Sequence, residues 1–344
     1  MTHGVTILAD PAHTGRSLRP PIGQFAIFRS SPPPTRAPIR RLVSRSRFLA
    51  FRRSLGRPPR LTAQTVRARG LAFAVYSTDP VPGAVPLLCI NGGLLFDHRL
   101  LWPALSPLAA TRQLILYDQR GRGGSEAPAD PSTARIEDDA DDVGAIRRAL
   151  GVRRWDVLGH SWGGGVAMLA VARDAAATRR LVTVDAVGPT SDWFPALRAA
   201  VAERGTEADR AVIAELTDAA LAVPDVEVHA AHAAAVYRSW FADPELADLM
   251  SPPRGMSVTG ATIAARLRRD GYDWRPAIRA LSPPTLVLHG EQDALPVRVA
   301  HEIGALVPRA RLAVVSGSGH MPFWEAPEEF FALVESFLSA SVIA

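Results

Sequence analysis

Short, mainly apolar runs alternate with amphipathic segments along the chain after residue 65. Such runs, each ending in a glycine-rich or charged turn, are typical of buried parallel strands, and they lie at residues 86–90, 114–117, 155–158, 181–184, 285–288 and 312–315. Helical segments separate them at residues 135–150, 163–173, 297–306 and 327–340. An alternating segment at 66–77 predicts a further edge strand. The pattern predicts an α/β fold with a doubly wound, mostly parallel sheet of about eight strands.

Residues 190–276 interrupt this alternation, because they contain helical patterns and no convincing strand. The helical patterns fall at residues 207–221, 226–241 and 259–269. A helical insertion between two strands of a parallel sheet is most simply a cap over the strand ends. We therefore expect a core formed by residues 65–189 and 277–344, and a cap formed by residues 190–276.

The first 64 residues differ in character from the rest of the chain. Residues 1–60 hold nine prolines, and their 12 arginines against one acid give a charge of +11. Proline interrupts regular secondary structure, so we expect residues 1–64 to be a disordered Arg/Pro-rich extension. The alternatives are a tether for an anionic surface, or a segment added by a start codon assigned too far upstream.

Composition and charge narrow the class of protein. The 344 residues carry a net charge of +5, but residues 61–344 hold 27 arginines and 33 acids and are therefore acidic, at −6. A single cysteine, Cys89, excludes an intrachain disulfide and a cysteine-rich metal site. No apolar run approaches the roughly 20 residues of a membrane helix, and we expect no secretory leader, because the first residues do not show the pattern of one. We expect a cytoplasmic protein that needs no nucleic acid, membrane, metal or cofactor; its oligomeric state stays open.

The sequence GHSWG at residues 159–163 follows the predicted strand at 155–158 and opens a helix. In this setting the pattern G-x-S-x-G places a serine on a tight turn above the sheet, with its hydroxyl exposed. The helix that begins behind it favours developing negative charge. Ser161 is therefore the candidate nucleophile.

A serine nucleophile needs a base, and the base needs an acid that orients it. In this architecture both follow the serine, first the acid and then the histidine, each after a strand. HGEQD at residues 289–293 and SGSGH at 316–320 occupy those positions. We expect Asp293 as the acid, with Asp185 in reserve, and His320 as the base. His160 and His289, at strand ends, are expected to pack or hydrogen-bond.

Acyl transfer also needs two N–H donors for the oxyanion. The residue after the nucleophile, Trp162, supplies one backbone N–H, and a loop after an early strand supplies the other. NGG at residues 91–93 lies in such a loop. We expect the Gly93 N–H to be the second donor.

At this point the chain resembles the α/β-hydrolase superfamily, and within it the proline iminopeptidase branch, over about residues 66–340. GHSWGG at 159–164, DQRGRGGS at 118–125 and NGGLLFDH at 91–98 are similar to motifs of that branch. The last departs from the branch's HGGPG pattern, since Asn91 replaces histidine and Leu-Leu replaces Pro-Gly. The resemblance implies a cofactor-free serine hydrolase that recognises a free N-terminal amine through cap carboxylates. The cap offers Glu203, Glu207, Glu215, Glu227, Asp243 and Glu245.

We therefore expect a serine hydrolase acting on a small ester or amide, with removal of N-terminal residues from short peptides as the specific prediction. A carboxylesterase or lactonase without aminopeptidase activity is the alternative with the same mechanism. Haloalkane dehalogenases and epoxide hydrolases use an aspartate nucleophile and do not fit Ser161. A binding protein that kept the fold would not need all three residues. Aromatic residues of the cap are expected to line the substrate pocket: Trp193, Phe194, Tyr237, Trp240 and Phe241.

Overall fold

The structure, a computed structural model, describes residues 37–250 and 255–340. Within these ranges eight strands form one sheet in the order β1-β2-β4-β3-β5-β6-β7-β8. β1 pairs with β2, and β2 with β4, in antiparallel orientation, and all other neighbours pair parallel. The sheet is therefore mostly parallel, as predicted. The strands are β1 Thr62–Ala68, β2 Leu71–Ser77, β3 Leu87–Ile90, β4 Leu114–Tyr117, β5 Trp155–His160, β6 Thr178–Val184, β7 Thr285–Gly290 and β8 Ala310–Val315.

The central strands are buried along their whole length, which explains their continuous apolar sequence. Every residue of β3, β4, β5 and β7 is buried, so both faces of the sheet are covered. The helices of the core are α1 Ala37–Ser54, α2 Ile136–Ala149, α3 Trp162–Arg173, α9 Arg275–Arg279, α10 Arg298–Leu306, α11 Pro322–Glu325 and α12 Pro327–Ser339.

The alternating segment at residues 66–77 is a hairpin and not the single strand that the pattern predicts. Arg69 and Gly70 form its turn with φ of 47° and 79°, and β1 pairs with β2 from Ala68–Leu71 outward to Thr62–Ser77. The apolar alternation continues through this turn, so it does not reveal the reversal. Gly70 is the residue that adopts the left-handed backbone easily.

The α-helices of the cap within the described residues are α4 Phe194–Arg204, α5 Glu207–Glu215, α6 Asp218–Leu221, α7 Val226–Tyr237 and α8 Val258–Asp270. Its two ends meet, since Thr190 forms a bridge with Asp273 and the Trp274 N–H donates to the Pro189 carbonyl at 2.8 Å. The predicted helix at 207–221 is divided in two, because the Thr217 hydroxyl caps α6 and starts a new helix.

Residues 37–64 correct the expected disordered extension. Ala37–Ser54 is a helix, and Phe48 is fully buried with its ring 5.6 Å from that of Trp324. Phe51 lies 5.7 Å from Phe331. The many arginines and prolines of the segment obscured this i, i+3 apolar pair, which packs α1 on the core. The predicted disorder is wrong here; residues 1–36 lie outside the described residues.

In the described part of the chain, no helix combines the length and the apolar character that crossing a bilayer requires.

Candidate active site

Ser161 occupies a strained turn between β5 and α3. Its backbone φ of 56° and ψ of −124° lie in a region that L-residues rarely adopt, as functional residues on tight turns often do. The Ser161 N–H donates to the Val184 carbonyl on β6 at 2.9 Å. A Cβ at Gly159 would collide with the Gly163 carbonyl, and a Cβ at Gly163 with the Ile90 carbonyl. The glycines thus allow the close packing that holds this turn.

The buried side chains of His320 and Asp293 are hydrogen-bonded to each other beyond the ends of β8 and β7. The distance from His320 Nδ1 to Asp293 Oδ2 is 2.8 Å, and Asp293 Oδ1 accepts from the Leu295 N–H at 3.1 Å. Burial acts to raise the pKa of Asp293, but the adjacent His320, together with His289 and a hydrogen bond from Asp185, holds that pKa below its usual value. A proton on Nδ1 leaves Nε2 of the neutral ring free to accept a proton.

One cavity contains both the Ser161 and the His320 side chains. Its empty space is about 730 Å³, including the part open to solvent, and most of its wall is apolar. Three of the five predicted cap aromatics are in the wall, namely Trp193, Phe194 and Trp240.

Tyr237 and Phe241 are not among the wall residues, which corrects the predicted pocket. The α7 helix and the short 3-10 helix Arg238–Trp240 after it present a face spaced by three or four residues to the cavity: His229, His232, Ala233, Val236 and Trp240. Tyr237 and Phe241 point away from that face and pack on each other, with their rings 5.5 Å apart.

Gly93 and Trp162, the two residues predicted to bind the oxyanion, lie in the same cavity wall as Ser161. Among the described residues, neither the Gly93 N–H nor the Trp162 N–H donates a hydrogen bond. Gly93 has a φ of 75°, and a Cβ on the preceding Gly92 would collide with the Ser161 Cβ. The loop after β3 therefore lies directly against the serine, with two donors available for an anionic oxygen.

Residues of the turn after β4 hold this loop in place. The Gln119 side chain donates to the Asn91 carbonyl at 2.9 Å, and Arg122 Nε donates to the Leu94 carbonyl at 2.7 Å. Arg122 also makes two 2.9 Å hydrogen bonds to the buried carboxylate of Asp139. The motif at residues 118–125 signalled this turn, but not its support of the neighbouring loop.

Glu325 ties the histidine loop to the cap. Its buried carboxylate accepts from the Gly319 N–H at 2.8 Å and from the Ala242 N–H at 2.7 Å. Burial raises the pKa of Glu325 to about 8. The His320 N–H in turn donates to the Trp240 carbonyl at 2.6 Å. No sequence motif pointed to Glu325.

Asp185, the reserve acid, lies behind the pair and not in it. It is fully buried at the end of β6 and accepts from the Gly290 N–H at 2.7 Å. Burial, together with the nearby charge of Asp293, raises the pKa of Asp185 well above its usual value. Hydrogen bonding to His320 therefore distinguishes Asp293 from Asp185.

In the part of the chain that the structure describes, two groups of His and Asp side chains place potential metal-ligating atoms within 4.8 Å of one another: Asp97, His98 and Asp118, and Asp185, His289 and Asp293. Protein partners already hold both groups. His98 Nδ1 lies 2.8 Å from Asp118, and His289 Nε2 hydrogen-bonds to the Leu295 carbonyl at 2.9 Å. These contacts account for the close spacing of the side chains in both groups.

The strand order, the strained serine turn and the cap inserted after β6 together define a fold of the α/β-hydrolase type. Residues 85–327 match the family described as alpha/beta hydrolase fold, and the chain belongs to that family. The superfamily resemblance of the sequence is thereby confirmed.

Named relatives support a hydrolase. The chain is 32% identical over 232 residues to 2-hydroxymuconate semialdehyde hydrolase of Pseudomonas putida, covering 67% of this chain and 78% of the relative. It is 23% identical over 277 residues to proline iminopeptidase of Heyndrickxia coagulans, covering 76% and 93%. The enol-lactonase of Burkholderia xenovorans LB400 has the same fold, with a TM-score of 0.61 and 22% identity over 80% of this chain and all of that one.

Proposed function

We propose that the protein is a serine hydrolase that acts by acyl transfer on a small, largely apolar ester. The observation that carries the proposal is the 2.8 Å pair of His320 and Asp293 in a cavity shared with Ser161. The N–H groups of Gly93 and Trp162 beside the serine complete the requirements of this chemistry.

In the proposed mechanism the Ser161 hydroxyl attacks the substrate carbonyl carbon and His320 Nε2 takes its proton. Asp293 holds the ring in the Nδ1–H form and stabilises the imidazolium. The negative oxygen of the tetrahedral intermediate accepts hydrogen bonds from the backbone N–H groups of Gly93 and Trp162. His320 then protonates the leaving alcohol, and a water molecule activated by the same ring releases the acid and restores Ser161.

The wall of the cavity favours an ester over a peptide with a free amino terminus. Among the residues that the structure describes, no Asp or Glu lines the cavity, and a buried ammonium group needs an anionic partner. The six cap acids considered for amine recognition are outside the described wall. The relative named as an enol-lactonase agrees with a substrate of this kind, since a lactone is a cyclic ester.

Two chromogenic substrates test the proposal: 4-nitrophenyl butyrate and proline 4-nitroanilide. We expect wild type to cleave the ester only, and Ser161→Ala to lose on the order of 10⁴-fold or more in kcat. Ser336→Ala, an exposed serine on α12, serves as the matched control and retains activity. Cleavage of the anilide would establish an aminopeptidase instead.

A fluorophosphonate probe separates an enzyme from a binding protein on the same fold. We expect covalent labelling of wild type and of Ser336→Ala, and none of Ser161→Ala. Absence of both labelling and turnover in folded wild type would overturn the hydrolase proposal.

A further inference from the structure

The cap side of the cavity carries a positive charge and two imidazoles. Arg268 on α8 and His229 and His232 on α7 belong to its wall, which is otherwise mainly apolar. Since the described wall contains no carboxylate, these three groups give the cavity a polarity that an amine would not match.

Among the described residues, no acid forms a hydrogen bond or ion pair with Arg268; Asp218 acts on it only through its charge. Asp218 is the acid that most affects its pKa, but Asp218 pairs with Arg198 at 3.4 Å and its side chain is 85% exposed. The guanidinium carbon of Arg268 instead lies 4.0 Å from the centre of the Phe194 ring. Arg122, a buried arginine close to the site, is in contrast paired with Asp139.

The charge of Arg268 persists at neutral pH. Burial lowers its pKa to about 10, which still leaves the guanidinium protonated at pH 7. Burial and the charge of Arg268 also lower the pKa of His232, to about 3, so this imidazole is neutral and carries one N–H that a ligand can accept from. A partly buried cation without a counter-ion is energetically costly, and an anionic ligand in the cavity would offset that cost.

We propose that the substrate carries a carboxylate, which Arg268 binds with help from the His232 N–H while the ester carbonyl lies at Ser161. A guanidinium binds a carboxylate through two parallel hydrogen bonds, so it fixes orientation as well as charge. Phe194 separates the two ends, since it contacts Arg268 and its ring lies 6.3 Å from that of Trp162 beside the serine. The carboxylate and the carbonyl are therefore joined by an apolar spacer.

This inference rests on the proposed function for its catalytic test, which compares two esters of equal length. One is 4-nitrophenyl heptanoate and the other is the mono-4-nitrophenyl ester of adipic acid, which ends in a carboxylate. The measured quantity is the ratio of kcat/KM for the acid ester to kcat/KM for the neutral ester. We expect Arg268→Gln to lower this ratio by about 10- to 100-fold, as loss of a charge-assisted hydrogen bond would.

Two further variants separate binding from packing. Arg268→Lys keeps the positive charge and should recover part of the ratio. Arg269→Gln removes the neighbouring arginine, which is exposed and paired with Asp270, and should leave the ratio at the wild-type value. An equal ratio in wild type and Arg268→Gln would overturn the inference, even though a Ser161-dependent cleavage of the neutral ester upheld the proposed function.

A binding measurement tests the carboxylate site without turnover. We expect calorimetry with Ser161→Ala to show tighter binding of hexanoate than of hexanamide, and the added substitution Arg268→Gln to remove the difference. If both compounds bind Ser161→Ala equally, or the difference survives in the double variant, Arg268 is not a carboxylate site. This readout holds even if neither ester is hydrolysed by wild type.

Discussion

His160 Nε2 donates a hydrogen bond to the carbonyl oxygen of His320 at 2.8 Å. Burial, followed by the nearby His320 ring, lowers the pKa of His160 to about 3, so the His160 ring is neutral and keeps its donor proton. The residue before the candidate nucleophile thus holds the backbone of the candidate base. The hydrogen-bonding role predicted for His160 is confirmed.

Replacing His160 tests the importance of this contact. His160→Phe leaves a buried carbonyl without its donor, which costs about 1–3 kcal/mol of unfolding free energy, and should lower kcat more than it raises KM. His160→Gln keeps an N–H donor and should lose less of both. Urea unfolding and ester kinetics measure the two effects. The shape of the pH–rate profile should not change, because His160 does not titrate near neutral pH; a shifted profile would contradict this interpretation.

Two glycine substitutions in helices should change stability in opposite directions. A methyl group at Gly163 would meet the Ile90 carbonyl, so Gly163→Ala should lower the unfolding free energy by at least about 1–3 kcal/mol and displace the loop after β3. A methyl group at Gly144 has no neighbour nearer than 3.5 Å. Gly144→Ala should therefore stabilise α2 by about 0.5–1 kcal/mol. Thermal unfolding measures both, and destabilisation by both variants would contradict the steric argument.

Variants of the buried pair Arg122 and Asp139 should affect the stability of the protein and its activity differently. Arg122→Met leaves a carboxylate that is fully buried and unpaired, which should cost about 3–5 kcal/mol. Adding Asp139→Leu removes that charge and should recover most of the stability. The double variant should nevertheless stay less active than wild type, because the hydrogen bond from Arg122 to Leu94 is still lost.

Ester kinetics and urea unfolding of the same samples test that separation. The exposed pair Arg269 and Asp270 provides the control, since Arg269→Met should have no measurable effect on either quantity. Full activity in the stable double variant would show that Arg122 does not support the loop at Leu94.

Glu325 should make stability depend on pH. Its pKa rises from the usual 4.5 to about 8 in the folded protein, so between these values the folded state keeps a proton that the unfolded chain has released. Raising the pH through this window therefore favours unfolding, by up to about 1.4 kcal/mol per pH unit. Relative to Glu325→Gln, wild type should lose stability from pH 5 to pH 8 and then level off. Parallel stability curves for the two proteins would contradict the raised pKa.

The sequence predicted those elements of the fold whose environment is the same at every residue, such as strands buried along their whole length. The strand Leu114–Tyr117 was predicted at its observed bounds, because a strand buried on both faces is a continuous apolar run. The turn at Arg69 and Gly70 was missed because apolar alternation passes through it. The α1 helix was missed because arginines outnumber the few apolar residues, such as Phe48, that contact the core.

Within the site, sequence motifs located the candidate catalytic residues that follow the ends of strands, including Ser161 and His320. They did not locate Glu325, which acts on an amide of residue 242, far away in the chain, nor the direction in which α7 points Tyr237. Arg268 was missed for a related reason. An arginine on an amphipathic helix looks the same in sequence whether it faces solvent or a cavity, and only the packing of α7 against α8 decides between them.

The α1 helix reaches across the boundary between core and cap. Arg52 donates to the Leu249 carbonyl at 2.6 Å, and this contact adds to the bridge at Thr190 and to the Glu325 contact with Ala242. A body fastened to its support at three separate places cannot swing as one piece about a single hinge. A rigid rotation of the cap would therefore break the contacts of Arg52 and Glu325, whereas the part of the cavity that is open to solvent remains with those contacts intact.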